Sequence, residues 1–449
     1  MSQKKPRLFG TDGIRGTFGE PPLDEPTVRR LGVGLARYLK NSADAPRVVI
    51  GGDTRFSTPT VCAWLATGLA SHGVEITYAG TVTTPCVAQA ARDSNAVAGV
   101  AVSASHNPFS DNGIKLIDAD GFKWSPEAEA EVEELLFAVE DPGDGLVELA
   151  VDPEPLASYV VSLRKSLAGQ IEDLVGLRVA LDTANGAASS IARQLFTGLG
   201  AMAVIRHHKP DGRNINLDCG STHPEVIAEM VRREDCDLGF AFDGDADRVV
   251  LADETGEVRD GDAILYLWAR DLAQKDALPS RRIVATSMSN LGLEAALRRE
   301  EIAVERCGVG DREVVARMRQ EGIVLGGEQS GHIVNLDLST TGDGLLTALQ
   351  LAALRQRSGK PLSAMLNGFS TYPQLIRNVK VRHKPPLETL PAVQEASDVV
   401  RQRLGDSGRL VLRYSGTEPL VRIMIEGREQ AVIEELAEQL AGVLAEELS

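Results

Sequence analysis

Glu225-Val226-Ile227-Ala228-Glu229-Met230-Val231-Arg232-Arg233, closely followed by Asp237-Leu238-Gly239-Phe240-Ala241-Phe242, decides the class of fold. The first run spaces its apolar residues three and four apart, the period of an amphipathic helix, whereas the second is a short, nearly continuous apolar run of the kind found in buried strands. The same alternation of strand-like and helix-like runs recurs around residues 47–50, 178–181 and 282–286, which reads as α/β layers. Toward the C-terminus the pattern changes. Strands at 378–382, 410–413 and 421–426 flank helices at 390–404 and 430–448, which predicts a small α+β domain.

Breaks between these blocks fall in an acidic, Pro/Gly-bearing stretch (140–155), a polar turn region (253–262) and residues 359–371. At 449 residues the chain exceeds what one hydrophobic core usually supports. The expected organisation is three similar mixed-sheet α/β domains at 1–153, 154–255 and 256–368, followed by a smaller α+β domain at 369–449. No residue motif repeats with a fixed period, so the sequence leaves open whether the three α/β segments are copies of one unit.

Composition narrows the function. The net charge of −17 disfavours nucleic acid and anionic membranes as partners, because both are bound through clustered Lys and Arg. No apolar run is long enough to cross a bilayer, and the basic start is not followed by the apolar core of a secretory signal, so a cytoplasmic location is expected. The five cysteines are scattered singly, which predicts reduced, mostly buried thiols rather than a zinc or redox pair.

The strand ending at Phe242 runs into Asp243-Gly244-Asp245-Ala246-Asp247-Arg248. In an extended backbone these alternate carboxylates would project the same way, and three clustered acids repel one another unless a cation compensates. Hard oxygen donors suit magnesium. An EF-hand spacing also fits Asp243, Asp245, Asp247 and Glu254, but Arg248 stands at the glycine turn position and an apolar run follows.

A second polar group, Ser103-Ala104-Ser105-His106-Asn107-Pro108, leaves an apolar run at 96–102. Ser105 could be a nucleophile if His106, Lys115 or a metal activated it; a turn or helix cap is the competing reading. Gly326-Gly327-Glu328-Gln329-Ser330-Gly331-His332, after an expected strand at 323–325, offers a carboxylate, a hydroxyl and an imidazole suited to a polyhydroxyl ligand. Arg413-Tyr414-Ser415-Gly416-Thr417-Glu418-Pro419, with Arg422 beyond, has the composition of a phosphate cradle or of an ordinary hairpin loop. Gly10-Thr11-Asp12-Gly13-Ile14-Arg15-Gly16 lacks the preceding strand of a dinucleotide site, and its Arg15 could reach an anion.

Taken in chain order, the serine, carboxylate, Gly326–His332 and Arg413–Arg422 motifs resemble the α-D-phosphohexomutase superfamily, a resemblance that runs from Phe9 to Arg422. The resemblance implies domains set around a central active-site cleft, phosphorylation of Ser105, and Mg²⁺ held by that residue with Asp243, Asp245 and Asp247. It places Arg15, Lys115, Arg248 and His332 near the transferring phosphoryl group, with His106 beside the serine. Glu328 and Ser330 match sugar contacts, and Arg413, Ser415, Gly416, Thr417 and Arg422 match the loop for the phosphate that is not transferred.

Asn214-Ile215-Asn216, Gly220-Ser221-Thr222-His223-Pro224 and Gln329 look like the phosphoglucosamine mutase branch. That branch implies interconversion of glucosamine 6-phosphate and glucosamine 1-phosphate through glucosamine 1,6-bisphosphate, and it allows a homodimer. Cys307 and Glu313, beside Val309-Gly310-Asp311-Arg312, depart from the expected pattern and bear on sugar preference. The alternatives are a phosphomannomutase or phosphoglucomutase with the same chemistry, and a non-catalytic sugar-phosphate binding protein.

Overall fold

The structure, a computed structural model, describes residues 8–40, 44–140, 142, 145–415 and 419–448. The helix and strand that open the sequence argument are Pro224–Glu234 and Leu238–Phe242. Proline in the first turn, with Glu225 there and Arg232 and Arg233 in the last turn, complements the helix ends. Asp235, in left-handed conformation, closes the helix by donating its N–H to Val231 O. Ile227, Ala228, Met230 and Val231 form its buried face. The strand is buried at every residue and lies between Arg178–Asp182, parallel, and Val249–Asp253, antiparallel. Cover on both faces explains why it reads as an unbroken apolar run.

The chain divides into two compact units, residues 1–288 with 304–367 and residues 289–303 with 368–449. Within the first, three mixed sheets repeat one plan. The first has the order Ile14–Thr17, Asp111–Asp118, Ala98–Val102, Arg47–Gly52, Glu75–Thr81. The second runs Val258–Arg259, Val249–Asp253, Leu238–Phe242, Arg178–Asp182, Met202–Arg206. The third runs Ile333–Asn335, Leu325–Gly327, Arg282–Thr286, Ala303–Cys307.

In each sheet one strand (Ala98–Val102, Leu238–Phe242 or Leu325–Gly327) pairs in parallel on one side and turns back into an antiparallel neighbour on the other. The three connecting loops, 103–110, 243–248 and 328–332, therefore occupy the same topological position, beyond the ends of parallel strands where α/β folds build their sites. The third of these strands begins two residues later than the sequence suggests. Ile323 is instead engaged in the turn after the left-handed Gly322, donating its N–H to Met318 O.

The second unit is a three-stranded antiparallel sheet, in the order Gln374–Lys380, Leu420–Gly427, Gly408–Tyr414, with helices Pro391–Leu404 and Gln430–Leu448. Its core includes Val393, Val400, Val421, Ile423, Ile425, Leu436 and Leu440. The buried Glu426 pairs with Arg409 and accepts from Leu291 N, joining segment 289–303 to this sheet.

A buried polar pair in the first unit makes its stability depend on pH. Tyr159 donates its hydroxyl to the Asp343 carboxylate at 2.9 Å, and Asp343 also caps helix Gly344–Ser358 by accepting from Leu346 N. Burial pushes the Asp343 carboxyl up from 3.8 to about 6. The folded chain thus holds this proton more tightly than the unfolded one, so this group's stabilisation is complete below about pH 4 and is lost as pH rises to about 6. Asp343→Asn keeps a capping oxygen and removes the charge. Urea unfolding at pH 4 and pH 8 should show the variant gaining about 3 kcal/mol relative to the wild type over that interval. An equal pH dependence in both proteins would exclude the assignment.

Candidate active site

The loop after Leu238–Phe242 does not stay extended. Ala246 adopts a left-handed conformation (φ 56°) and donates to Asp243 O, so a tight turn rather than strand alternation brings the three carboxylates together. One oxygen from each of Asp243, Asp245 and Asp247 lies within 4.8 Å of the others, and all three residues are buried. The loop's backbone is tied outward from three directions: Gly244 O accepts from Ala187 N at 2.8 Å, Asp245 O from Thr84 N at 3.1 Å, and Ala246 O from Gly344 N at 2.9 Å. With its carbonyls used by the scaffold, the loop presents carboxylates.

Ser105 meets this group directly. Its hydroxyl donates to Asp243 Oδ2, and His106 Nδ1 lies 3.3 Å from Ser105 Oγ. Lys115, on strand Asp111–Asp118, reaches Asp245 at 2.7 Å, Asp247 at 3.1 Å and Asp12 at 3.3 Å. Arg248 donates its backbone N–H to Asp243 and holds its guanidinium 3.9 Å from Asp247. Arg15 pairs with Asp12 and donates to Asn107 at 3.3 Å.

The electrostatics follow from this crowding. Burial, then the charges of Asp247 and Asp245, push the Asp243 carboxyl well above the ordinary range. Asp247 goes the other way. Burial alone would raise it, but the cations around it, Lys115 first, hold it below the ordinary value. Lys115 is buried too, yet Asp12, Asp245 and Asp247 outweigh that and keep it firmly protonated. Burial, with Arg248 and Arg15 nearby, lowers the His106 imidazole and favours its neutral form.

A cation fits the carboxylates. Asp245 Oδ1 and Asp247 Oδ1 are buried without a hydrogen-bond partner, and the donors are hard oxygens, the chemistry of magnesium rather than of a soft metal. A second cluster, Asp182, His207 and Cys219, is equally close but differs in kind. Its Asp182 carboxylate already accepts from Ala184 N, Gly220 N and His207 at 3.0 Å each, so it serves as a turn anchor with no oxygen left over.

The third loop carries Glu328 and His332. Glu328 accepts from Gly310 N at 3.0 Å, with the Ser330 hydroxyl 3.5 Å from its other oxygen. The His332 ring is buried with neither nitrogen hydrogen-bonded among the described residues, and Nε2 sits 3.6 Å from Asp311. Gly342 packs on the ring face, where a Cβ would come to about 2.4 Å.

In the second unit Arg413 and Arg422 are direct cross-strand partners at the end of the sheet that carries Ser415. Like charges placed opposite one another are unfavourable without an anion between them. Gly416 and Thr417 lie outside the described residues.

The chain matches the phosphoglucomutase/phosphomannomutase alpha/beta/alpha domains I, II and III over residues 6–142, 157–256 and 260–372, and the C-terminal domain of the same family over 377–443. It belongs to the phosphoglucomutase/phosphomannomutase family. Among this family member's curated relatives is the phosphoglucosamine mutase of Koribacter versatilis, 45% identical over 99% of this chain and 98% of the relative. The phosphoglucosamine mutase of Syntrophotalea carbinolica is 42% identical over 99% and 98%. A solved phosphoglucomutase/phosphomannomutase family protein from Burkholderia thailandensis superposes with a TM-score of 0.78 at 25% identity, covering 97% of this chain and 96% of that one.

Placing the expected residues in this family member shows what sequence reasoning missed. Lys123 bridges Asp12 and Asp311, so a charge network runs from Lys115 through Asp12, Lys123 and Asp311 to His332. Asp12 and Asp311 stand inside the Gly-Thr-Asp-Gly and Val-Gly-Asp-Arg segments, where their carboxylates were the available signal; Lys123 had none. Burial alone would raise Asp12, but the ammonium groups of Lys115 and Lys123 and the Arg15 guanidinium hold it well below the ordinary value. Gln329 is engaged structurally. Its amide donates to Asp260, the cap of helix Gly261–Gln274. Cys307 is partly exposed and the other four cysteines are buried, all as free thiols. Among the described residues no helix is long and apolar enough to cross a membrane.

Proposed function

We propose that the chain interconverts glucosamine 6-phosphate and glucosamine 1-phosphate through phosphorylated Ser105 and a bound glucosamine 1,6-bisphosphate. The observation that carries this reading is the Ser105 hydroxyl donating to Asp243 beside the orphaned oxygens of Asp245 and Asp247. A hydroxyl held beside carboxylate oxygens that have no protein partner is the placement that a phosphoryl carrier next to a cation needs. The names of the full-length relatives supply the amino sugar; Gln329, turned toward Asp260, does not.

Asp243, Asp245 and Asp247 would hold Mg²⁺ together with the Ser105 phosphate, and the ion's part is to neutralise charge on the phosphoryl oxygens. In the forward step the sugar hydroxyl oxygen attacks phosphorus, the bond from phosphorus to Ser105 Oγ breaks with Oγ taking up a proton through His106, and the sugar hydroxyl proton passes to a base. His332, with no hydrogen bond to either ring nitrogen, is the group we assign to that proton. Lys115 is held protonated and acts as a fixed cation alongside Arg15 and Arg248. After the bisphosphate turns around, the other phosphoryl group returns to Ser105, whose proton leaves through the neutral His106, while His332 returns its proton to the sugar oxygen that is freed. Glu328 and Ser330 bind sugar hydroxyls, and Arg413, Ser415 and Arg422, with Gly416 and Thr417, bind the phosphate that stays on the sugar.

Intact mass before and after addition of glucosamine 6-phosphate tests the carrier: one phosphoryl group should leave the protein. Parallel assays on glucosamine, glucose and mannose phosphates test the sugar. Glucose or mannose phosphate outrunning glucosamine phosphate would replace the substrate while leaving the mechanism in place.

A further inference from the structure

The Ser105 backbone is itself held in an unusual state. Its φ of 51° is left-handed, a conformation that costs a serine about 1–2 kcal/mol and persists only where surrounding contacts enforce it. Two side chains outside the four recognised motifs supply those contacts. Arg55, fully buried and paired with Asp53 at 2.8 Å, donates from Nη2 to Ser105 O at 3.0 Å and to Asn107 O at 2.9 Å. From Nη1 it donates to Asp111 O at 2.9 Å and to Pro108 O. Asn216, from the polypeptide of the second sheet, donates to the same two carbonyls, Ser105 O at 2.9 Å and Asn107 O at 3.1 Å.

The metal-loop backbone closes on the same atom. A Cβ at Gly244 would come within about 2.5 Å of Ser105 O and 3.0 Å of Asn216 Nδ2. The Ser105 carbonyl is thus the point at which three segments meet, one from before the serine loop, one from the second sheet and one from the carboxylate loop.

We infer that Arg55 and Asn216 are positioning residues for phosphoryl transfer, which fix the distance and direction of Ser105 Oγ relative to the carboxylates by clamping the Ser105 and Asn107 carbonyls. The carbonyl and the hydroxyl leave neighbouring backbone atoms in different directions, so holding one sets the other. Turning four loop carbonyls onto a guanidinium also removes their negative ends from the phosphate side of the loop. Neither residue touches the transferred group. The effect belongs on kcat, because misplacing a reacting atom by about 1 Å costs on the order of 100-fold while leaving binding of the sugar intact.

This inference rests on the phosphoserine reading, and the test separates the two. Asn216→Ala and Arg55→Lys are assayed for kcat and KM, for thermal midpoint, and for amide hydrogen exchange across residues 103–111. We expect kcat to fall about 100-fold with KM within about twofold, and the loop to exchange faster, in a chain that remains folded. Wild-type kcat in folded Asn216→Ala, or a loss expressed in KM with kcat unchanged, overturns the clamp. Should Arg55→Lys fail to fold because its buried partner Asp53 is stranded, Asn216→Ala decides alone. If wild-type protein carries no transferable phosphoryl group, the carrier reading fails, and the loop exchange of Asn216→Ala still decides whether the clamp exists.

Discussion

Ser105→Ala should abolish turnover, with kcat falling on the order of 10⁵–10⁶-fold, the scale on which loss of an enzyme's nucleophile acts. The hydroxyl is the only oxygen of this side chain, and its described partners are Asp243 and His106. Without it no phosphoryl group can be stored between the two transfers, so neither half of the reaction has a partner. The fold should survive. Alanine pays nearly the same price as serine for the left-handed backbone, and the truncation leaves one small gap, so the thermal midpoint should move by no more than about 1 kcal/mol allows. Activity close to wild type in a folded Ser105→Ala protein would remove the phosphoserine from the mechanism.

Chelation of divalent cations should stop turnover by at least about 10³-fold, and added magnesium should restore it. The cluster of Asp243, Asp245 and Asp247 carries more negative charge than Lys115 and Arg248 neutralise, and burial first, then the charges of Asp247 and Asp245, drive Asp243 toward holding a proton. A divalent ion held by these carboxylates would take that proton's place and supply positive charge for the phosphoryl oxygens. The same ion binds the folded chain alone, so magnesium at about 100 times its dissociation constant should stabilise the protein by about 2.7 kcal/mol. Asp245→Asn should weaken both effects. Full activity after exhaustive chelation, with no metal found by elemental analysis, would show that the lysine and arginines suffice.

Much of this was legible in the sequence because the buried parallel strands announce themselves as short apolar runs and the loops after them carry concentrated chemistry. Ser105, Lys115 and the three aspartates converge in the folded chain as their types require. What escaped is what acts through backbone. Arg55 looked like any arginine after a strand, and nothing in its neighbours says that its donors are spent on four carbonyls. An extended backbone would aim the three carboxylates one way, whereas a left-handed Ala246 turns the loop; alanine gives no hint of such a conformation. Lys123 reaches Asp12 and Asp311 from residues far apart in the chain, a pairing that only tertiary structure creates.

The common position of the three loops has a consequence for how the enzyme can be altered. Ser105 sits in the first sheet's loop, the three clustered aspartates in the second's, and Glu328, Ser330 and His332 in the third's, each on the same turn of the same topology. Labour is divided among equivalent modules, so no single sheet excised from the chain carries a working part of the reaction. The division also isolates the trades from one another. In the proposed mechanism, exchanging Glu328, Gln329 and Ser330 for those of a relative with another sugar while keeping His332 should retune recognition without rebuilding the transfer apparatus, because the strands that precede Ser105 and the aspartates are not the strand that precedes Glu328.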